Sequence, residues 1–249
     1  MSEFTGCRAL IQPAMPVAAD YNTIMVESIA RRSLVIWGTC GHARVVADIV
    51  RLEDRYSIIG FLDDYRPAGD ALGFHDARVL GGRDALPSLA RQGVEAVLIA
   101  VGCPHVRLEL AELVMSHGLE LATAVHPRAV VAGDVDVGPG SVVVAGAVVN
   151  PGSRLGLASI VNTLASVDHG CTLGEGATIC PGARLGGDVA VERGAWVGIG
   201  ATVREHIHVG AHSVIGAGAV VVDDVAPCTV VVGVPARVIR TLDVPWSPL

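Results

Sequence analysis

The sequence is poor in aromatic and charged residues, and it lacks any long uninterrupted hydrophobic run. Aromatic residues make up 4% of the 249 residues and charged residues 17%. The mean hydropathy of +0.52 is high, yet no segment approaches the ~18 consecutive apolar residues of a membrane-spanning helix. Residues 1–33 also lack the charged and then apolar pattern of a secretory signal. These absences predict a cytoplasmic protein with no membrane span.

Cysteine pairs and an excess of positive charge are missing as well. The formal net charge of −7 argues against nucleic acid as a partner. The six cysteines form no C-x-x-C pair, so we expect reduced, buried thiols rather than disulfides or a metal site. One or two domains are expected at this length.

A repeat of six residues dominates the second half of the chain. Sixteen consecutive units run from Val131 to Ala226 without an insertion, each opening with Val, Leu or Ile and carrying a small or β-branched residue four positions later. This period predicts a parallel β-helix, because the strands of a β-sandwich do not keep a strict period of six. Three units close a triangular coil, so residue n lies beneath residue n+18 at the strand spacing of ~4.8 Å.

The preceding segment alternates between strand and helix patterns. We expect strands over 34–38, 57–62, 95–101 and 120–125, and helices over 42–52, 85–91 and 106–116. This alternation predicts a small parallel sheet with helices on its faces. Residues 1–33 are an extension to which the sequence assigns no function.

Three loops at the carboxyl ends of these strands carry groups suited to a ligand. Gly38–His42 opens the first helix, whose N-terminus favours an anion. Asp63 and Asp64 end the second strand, where carboxylates can accept hydrogen bonds from ribose hydroxyls or a base. Gly102–His105 ends the third strand. The alternative is that the glycines only make tight turns; bound NAD is not expected, because G-x-G-x-x-G is incomplete.

His169 is the one histidine in the middle of the repeats, near a corner of its coil. Gly187 follows eighteen residues later, so it lies in the adjacent coil and leaves space and a backbone N–H beside the imidazole. An imidazole can take a proton from an attacking amine or hydroxyl, and a nearby N–H can stabilise an oxyanion. The alternative is a solvated corner histidine.

Three further histidines, at positions 206, 208 and 212, suggest a metal site. His206 and His212 occupy equivalent positions on adjacent faces, so they diverge within one chain and no metal is expected there, since tetrahedral sites need converging ligands. Binding across a trimer interface stays open.

The repeats and five short motifs together resemble the NeuD/PglD-like sugar acetyltransferases over about residues 34–240. The motifs are Gly-x-x-Gly-His at 38–42, Gly-Phe-Leu-Asp-Asp at 60–64, Val-Asn-Thr at 161–163, Val-Asp-His at 167–169 and Gly-Val-Pro-Ala-Arg at 233–237. The resemblance implies a Rossmann-like nucleotide-sugar-binding domain over 34–127, a left-handed parallel β-helix over 128–232 and a segment near CoA over 233–249.

The resemblance also implies an activity. Members of the family use acetyl-CoA and are typically homotrimers that bind the acetyl donor between neighbouring solenoids, and no metal is expected in this chain. We therefore expect an enzyme of glycan biosynthesis that transfers acetyl directly to the amine of a nucleotide-linked 4-amino-4,6-dideoxysugar. Apolar Val and Ala on the solenoid flank are consistent with association.

Roles for individual residues follow from the same resemblance. His169 is the implied general base, with Asp168 beside it, and Gly187 the implied amide facing the thioester and CoA. The implied nucleotide-sugar residues are Gly38, Gly41, His42, Asp63, Asp64, Gly102, Asn162 and Thr163, and the implied CoA residues Pro235, Ala236 and Arg237. Many relatives carry an acidic residue after the histidine, where this chain has Gly170. That carboxylate's role is then absent or passes to Asp168 or another residue.

Other functions remain open. They are O-acetylation of a sugar such as sialic acid, transfer of another acyl group or to a non-sugar amine, a zinc-dependent hydratase of the γ-carbonic anhydrase type, and a non-catalytic scaffold or nucleotide sensor. A sugar-1-phosphate nucleotidyltransferase is disfavoured, because its Gly-rich loop with Arg and Lys is missing after Leu34.

Overall fold

The computed structural model of the protein describes residues 31–74 and 77–243. The predicted extension therefore lies outside the described residues, except for its last three positions. The first strand begins at Arg32, so the compact unit starts slightly before the expected boundary at residue 34.

Five parallel strands form the first sheet, in the order β3-β2-β1-β4-β5. The elements of this region are β1 (Arg32–Trp37), α1 (Gly41–Glu53), β2 (Tyr56–Leu62), β3 (Val79–Gly81), a 3₁₀ turn (Arg83–Ala85), α2 (Leu86–Arg91), β4 (Ala96–Ile99), α3 (Pro104–Ser116) and β5 (Glu120–Leu121). The central strand β1 is buried from Leu34 onward, as in parallel sheets covered on both faces. The predicted parallel sheet with flanking helices is confirmed.

Two details differ from the expectation. The sequence did not predict β3, because three residues are too few to show a pattern. The strand expected over 120–125 is two strands: Glu120–Leu121 completes the first sheet, and Ala124–Val125 pairs with Val142–Val143 of the solenoid. The solenoid thus begins at Ala124, before the expected boundary at residue 128.

The solenoid consists of short strands on three faces. In chain order they are β6 (Ala124–Val125), β7 (Val130–Val131), β8 (Asp136–Val137), β9 (Val142–Val143), β10 (Val148–Val149), β11 (Arg154–Leu155), β12 (Ile160–Val161), β13 (Ser166–Val167), β14 (Thr172–Leu173), β15 (Thr178–Ile179), β16 (Arg184–Leu185), β17 (Ala190–Val191), β18 (Trp196–Val197), β19 (Thr202–Val203), β20 (His208–Val209), β21 (Val214–Ile215), β22 (Val220–Val221), β23 (Thr229–Val232) and β24 (Arg237–Thr241). We call the faces that begin with β6, β7 and β8 the first, second and third faces.

The predicted stacking of residue n on residue n+18 is confirmed. Val149 pairs with Val167 and Ile179 with Val197, and the leading aliphatic residues fill the interior. The small residues four positions later are also buried; they include Ser141, Ala147, Ser153, Ala165, Cys171, Ala177, Ala183, Ala201 and Ser213. The inward-facing position four residues after each leading aliphatic therefore accepts only side chains of limited volume.

The repeat ends one unit earlier than predicted. Val209 bridges to Val225 and Ile215 pairs with Val231, so the last coil is sixteen residues long instead of eighteen. The unit that begins at Val221 is two residues short, and the expectation of sixteen full units is wrong there. The chain then returns as β24, antiparallel to β23, which covers the edge of the first face.

The two parts of the described chain share their buried clusters. Side chains of β1 and α1 pack with Val142 and Ile160 of the first face. Leu108 of α3 packs on Gly176 at the corner between the third and first faces, where a Cβ would lie 2.8 Å from its Cδ1 atom. This packing fixes the parallel sheet relative to the solenoid.

Candidate active site

His169 lies at the corner between the second and third faces, directly after β13, and its side chain is exposed. Its imidazole covers Gly187: a Cβ at that position would lie 2.5 Å from Cε1 and 2.6 Å from Nε2. The space that the sequence predicted above Gly187 is thus occupied by the imidazole itself. Among the hydrogen bonds of residues 31–74 and 77–243, none uses the Gly187 N–H as donor. The arrangement pairs an exposed imidazole with a buried main-chain N–H that has no acceptor among the described residues.

Asp168 supports the turn that carries His169. Its Oδ1 atom accepts hydrogen bonds from the His169 N–H at 2.7 Å and from the Asn150 side-chain amide at 2.8 Å. The His169 N–H and, to a lesser extent, the Asn150 amide hold the pKa of Asp168 below its usual value. The carboxylate therefore fixes the backbone of His169 rather than bonding its ring.

A second carboxylate near this corner was not predicted. Asp188 stacks above Gly170, and its Oδ1 atom occupies the volume that a Cβ at position 170 would need. The other oxygen of Asp188 lies 3.6 Å from Nδ1 of His206. The acidic residue that the resemblance places at position 170 is absent, and the carboxylate found there comes from the adjacent coil. The eighteen-residue spacing could have placed Asp188 above Gly170, but only the structure gives the direction of its side chain.

A groove of about 520 Å³ runs along the second face beside this corner. Asp168, Gly186 and two arginines, Arg184 and Arg204, are among the residues that line it. Within the described ranges neither arginine forms an ion pair. Unpaired guanidinium groups in a protein of net negative charge favour a phosphorylated ligand.

The first predicted loop of the parallel sheet is shaped for an anion. Gly38 has a φ of +122°, and a Cβ there would lie 2.7 Å from the carbonyl oxygen of Ala100, so the close approach of the strands requires glycine. Gly41 faces open space at the start of α1. Cys40 makes no side-chain cap, and the first turn of α1 contains no acidic residue. The first N–H groups of α1 are therefore available to a negatively charged ligand.

The two aspartates of the second loop have different partners. Asp63 accepts hydrogen bonds from the Thr39 hydroxyl and from the Tyr65 N–H, the latter at 2.8 Å, so it joins the first loop. Asp64 is bound by the backbone N–H of Arg83 at 2.7 Å and by its guanidinium at 2.9 Å. Asp63 thus ties the second loop to the first, whereas Asp64 is engaged by Arg83, a residue that sequence reasoning missed.

Gly102 bonds a buried arginine that the sequence did not single out, and the charge of this arginine also acts on His42. Arg107 is fully buried and donates to the Gly102 carbonyl at 2.8 Å. Burial and, secondarily, the charge of Arg107 lower the pKa of His42 to about 4, so its imidazole is neutral. The Nε2 atom of His42 is buried without a partner among the described residues. The one feature of the sequence that could have pointed to Arg107 is its position between apolar residues on α3.

The remaining predicted residues lie elsewhere on the solenoid. Asn162 and Thr163 occupy the corner between the first and second faces, where the Asn162 Oδ1 atom accepts the Thr163 N–H at 2.8 Å. Pro235, Ala236 and Arg237 follow β23; the Ala236 N–H donates to the Val220 carbonyl at 2.8 Å, and Arg237 lies 3.9 Å from Asp223. Within one chain the predicted residues therefore form separate groups at different corners.

The other histidines do not converge in the described structure. His206 lies near Asp188, and His212 covers Gly194 at a different corner. In the part of the chain that the structure describes, no three His, Cys, Asp or Glu side chains are grouped to hold a metal. Across the same residues, no helix has both the length and the apolar character needed to cross a bilayer.

Comparison with known proteins places these features in a family context. Residues 33–114 match the family of the PglD N-terminal domain. GDP-perosamine N-acetyltransferase of Escherichia coli O157:H7 is 30% identical over 120 residues, which are 48% of this chain and 54% of that protein. The chain thus spans about half the length of this curated relative.

Two solved structures match most of the chain. PerB from Caulobacter crescentus, in complex with CoA and GDP-perosamine, is 36% identical with a TM-score of 0.78 over 83% of this chain and 96% of its own. The acetyltransferase domain of PglB from Neisseria gonorrhoeae, in complex with acetyl coenzyme A, is 37% identical with a TM-score of 0.78 over 84% of this chain and 100% of its own. The predicted fold, a Rossmann-like domain followed by a left-handed β-helix, is confirmed.

Proposed function

Because the chain belongs to the NeuD/PglD-like family of sugar acetyltransferases, we propose that it transfers acetyl from acetyl-CoA to the amine of a nucleotide-linked 4-amino-4,6-dideoxysugar. The observation that carries this proposal is the exposed imidazole of His169 against Gly187, whose N–H has no acceptor in the described structure. GDP-perosamine and CoA, which PerB binds, support the choice of both substrates.

His169 acts as the general base. It takes a proton from the sugar amine as the nitrogen attacks the thioester carbonyl carbon, so that negative charge forms on the carbonyl oxygen. The Gly187 N–H donates to that oxygen. The carbonyl then re-forms, the C–S bond breaks, and the proton held by His169 passes to the departing sulfur, so that CoA leaves as the thiol without an acyl-enzyme. Asp168 keeps the imidazole in place through the main chain of His169.

Acetyl-CoA occupies the groove on the second face. Arg184 and Arg204 bind its phosphates, since guanidinium groups form paired, charge-assisted hydrogen bonds with phosphate oxygens. The groove adjoins the corner of His169, which brings the thioester to the base. Pro235, Ala236 and Arg237 at the end of the solenoid contact the adenine end of the cofactor.

The nucleotide sugar binds to the loops of the parallel sheet. The open N-terminus of α1 at Gly38 and Gly41 receives the diphosphate, and Asp63 accepts hydrogen bonds from the nucleoside. Asn162 and Thr163 contact the sugar. Asp64 contributes through Arg83, which its carboxylate holds beside the site.

A homotrimer completes the site. The α/β loops, His169 and Asn162 lie in separate groups within one chain, so a neighbouring copy has to bring base and acceptor together. Exposed apolar residues at the solenoid corners and beyond β23 support such an interface: Leu164 is 66% exposed, Ile199 61% and Val234 73%. Sedimentation of a monomer alone at micromolar concentration would overturn this assembly. We place the reaction in the cytoplasm, in glycan biosynthesis, where acetyl-CoA is available.

Thiol release from acetyl-CoA tests the proposal. GDP-, UDP- and dTDP-linked 4-amino-4,6-dideoxysugars are offered to the wild type and to His169→Ala. We expect turnover with one amino sugar and its loss in the variant. If no amino sugar of the panel causes thiol release but a free sugar that offers only hydroxyl groups does, O-acetylation would replace the proposal. If no substrate causes thiol release and the purified protein contains zinc, a hydratase would be supported. If His169→Ala is as active as the wild type, His169 is excluded as the base.

A further inference from the structure

Arg107 connects the predicted nucleotide-sugar loops to the solenoid through every donor it possesses. Its Nε atom donates to the Ala158 carbonyl at 2.7 Å. One terminal nitrogen donates to the carbonyls of Val101 and Gly102 at 2.9 and 2.8 Å, and the other to the Gly176 carbonyl and the Thr178 hydroxyl, both at 2.8 Å. The guanidinium is a rigid fork, so these bonds fix the loop after β4 against the same corner of two stacked coils, between the third and first faces.

The charge of Arg107 is not neutralised by its surroundings. Burial lowers the pKa of Arg107 to about 10, which leaves it protonated at neutral pH. No carboxylate contacts it among the described residues. Burial also raises the pKa of the nearby Cys180 thiol to about 12, so this cysteine stays uncharged. A buried cation of this kind is costly, and its positive charge is felt at His42, whose pKa it helps to lower.

His42, on which this charge acts, lies in the first turn of α1. A neutral imidazole carries one proton, on either Nδ1 or Nε2. Nε2 is buried and has no hydrogen-bond partner among the residues that the structure describes. A buried N–H without an acceptor is less favourable than a bare lone pair, all the more beside a cation. The proton is therefore on Nδ1, and the partly exposed side chain can offer that N–H to a ligand.

We propose that Arg107 is a positioning residue of the nucleotide-sugar site. It holds the loop at Val101–Gly102 in place, and it sets the tautomer of His42 so that Nδ1 donates a hydrogen bond to an oxygen of the substrate diphosphate. The α1 N-terminus beside His42 favours this anionic acceptor. The inference rests on the proposed function, because it names how that site recognises its nucleotide sugar.

Steady-state kinetics with GDP-perosamine and acetyl-CoA test the positioning role. Arg107→Lys keeps the charge but loses two of the five donors, so the KM for GDP-perosamine should rise about tenfold, the effect of one lost buried hydrogen bond. The KM for acetyl-CoA should stay unchanged. The matched control is Leu108→Ala, which loosens the contact of α3 with Gly176 without touching the loop. Equal KM changes in both variants would reduce Arg107 to a structural role and overturn the proposal.

Histidine replacements test the donor and do not require Arg107 to be changed. The amide of His42→Asn reaches the position of Nδ1, whereas that of His42→Gln reaches the position of Nε2. We expect the asparagine variant to retain a KM for GDP-perosamine near that of the wild type and the glutamine variant to match His42→Ala. The reverse order would overturn the role of Nδ1.

The tautomer can also be measured without turnover. Nitrogen-15 NMR of the wild type, with the His42 signals identified by their loss in His42→Asn, should show Nδ1 protonated and Nε2 bare. A protonated Nε2 would overturn the proposal. If the wild type acetylates no amino sugar, the proposed function is wrong. The NMR result would still show which ring nitrogen of His42 carries the proton.

Discussion

The imidazole of His169 lies against Gly187 in the adjacent coil of the solenoid. The glycine is needed because any side chain at that position would meet the ring at less than van der Waals distance. The contact also orients the imidazole along the corner, beside the groove that we assign to acetyl-CoA. The base and the main-chain donor thus come from two adjacent coils, and the eighteen-residue length of a coil places them next to each other.

Gly187→Ala should lower kcat by about a hundredfold, because the new methyl group displaces the imidazole by roughly 1 Å from its productive position. The variant should still bind both substrates, and its melting temperature should change little. Gly133→Ala is the control: it lies in the solenoid, and a Cβ there meets nothing within 4 Å. Full activity of Gly187→Ala would show that the contact does not orient the base.

Gly170 and Asp188 should be coupled in stability. A Cβ at position 170 collides with the Asp188 carboxylate, and Gly170 has a φ of +68°. Gly170→Ala should therefore destabilise the protein, but by less in an Asp188→Gly background, where the collision is gone. We expect an interaction of about 1 kcal/mol or more in a double-mutant cycle measured by denaturant unfolding. Additive effects would contradict the close approach of the two residues.

Asp168 should stabilise the fold in its charged form. Since its pKa is lowered by the His169 N–H and the Asn150 amide, the stabilisation is fully present above the unfolded value of ~3.9 and is lost as the pH falls through the folded value. Asp168→Asn should lower the melting temperature at neutral pH, and the gap to wild type should narrow in acid. Asp136→Asn, on the third face, should show no such gap. A constant difference at every pH would contradict the assignment.

Arg184 and Arg204 should determine affinity for acetyl-CoA. Replacing either by alanine should raise the KM for acetyl-CoA about tenfold, the effect of one lost charge-assisted hydrogen bond, and higher salt should weaken wild-type binding. The KM for the nucleotide sugar should stay the same. Arg154→Ala removes an arginine from the third face and serves as the control. An effect of Arg154→Ala equal to that of Arg184→Ala would indicate a general charge effect rather than a binding groove.

The period of six residues by itself determined the solenoid and the meeting of His169 with Gly187. Each coil closes after eighteen residues, so sequence separation fixes spatial position, and the pairing of Val149 with Val167 follows the same rule. The strand-to-helix alternation likewise predicted the parallel sheet. In both cases the signal is local or periodic, and burial patterns carry it directly.

Only the tertiary structure decided how the two parts dock and which polar groups they share. Arg107 bonds carbonyls 51 and 69 residues away, and Asp64 bonds Arg83 across 19 residues. No period links these positions, since α3 contacts the solenoid through packing of its own surface. The side-chain direction of Asp188 and the short last coil at Val225 are likewise products of local packing. The sequence pattern therefore cannot predict binding groups that depend on such non-repeating contacts.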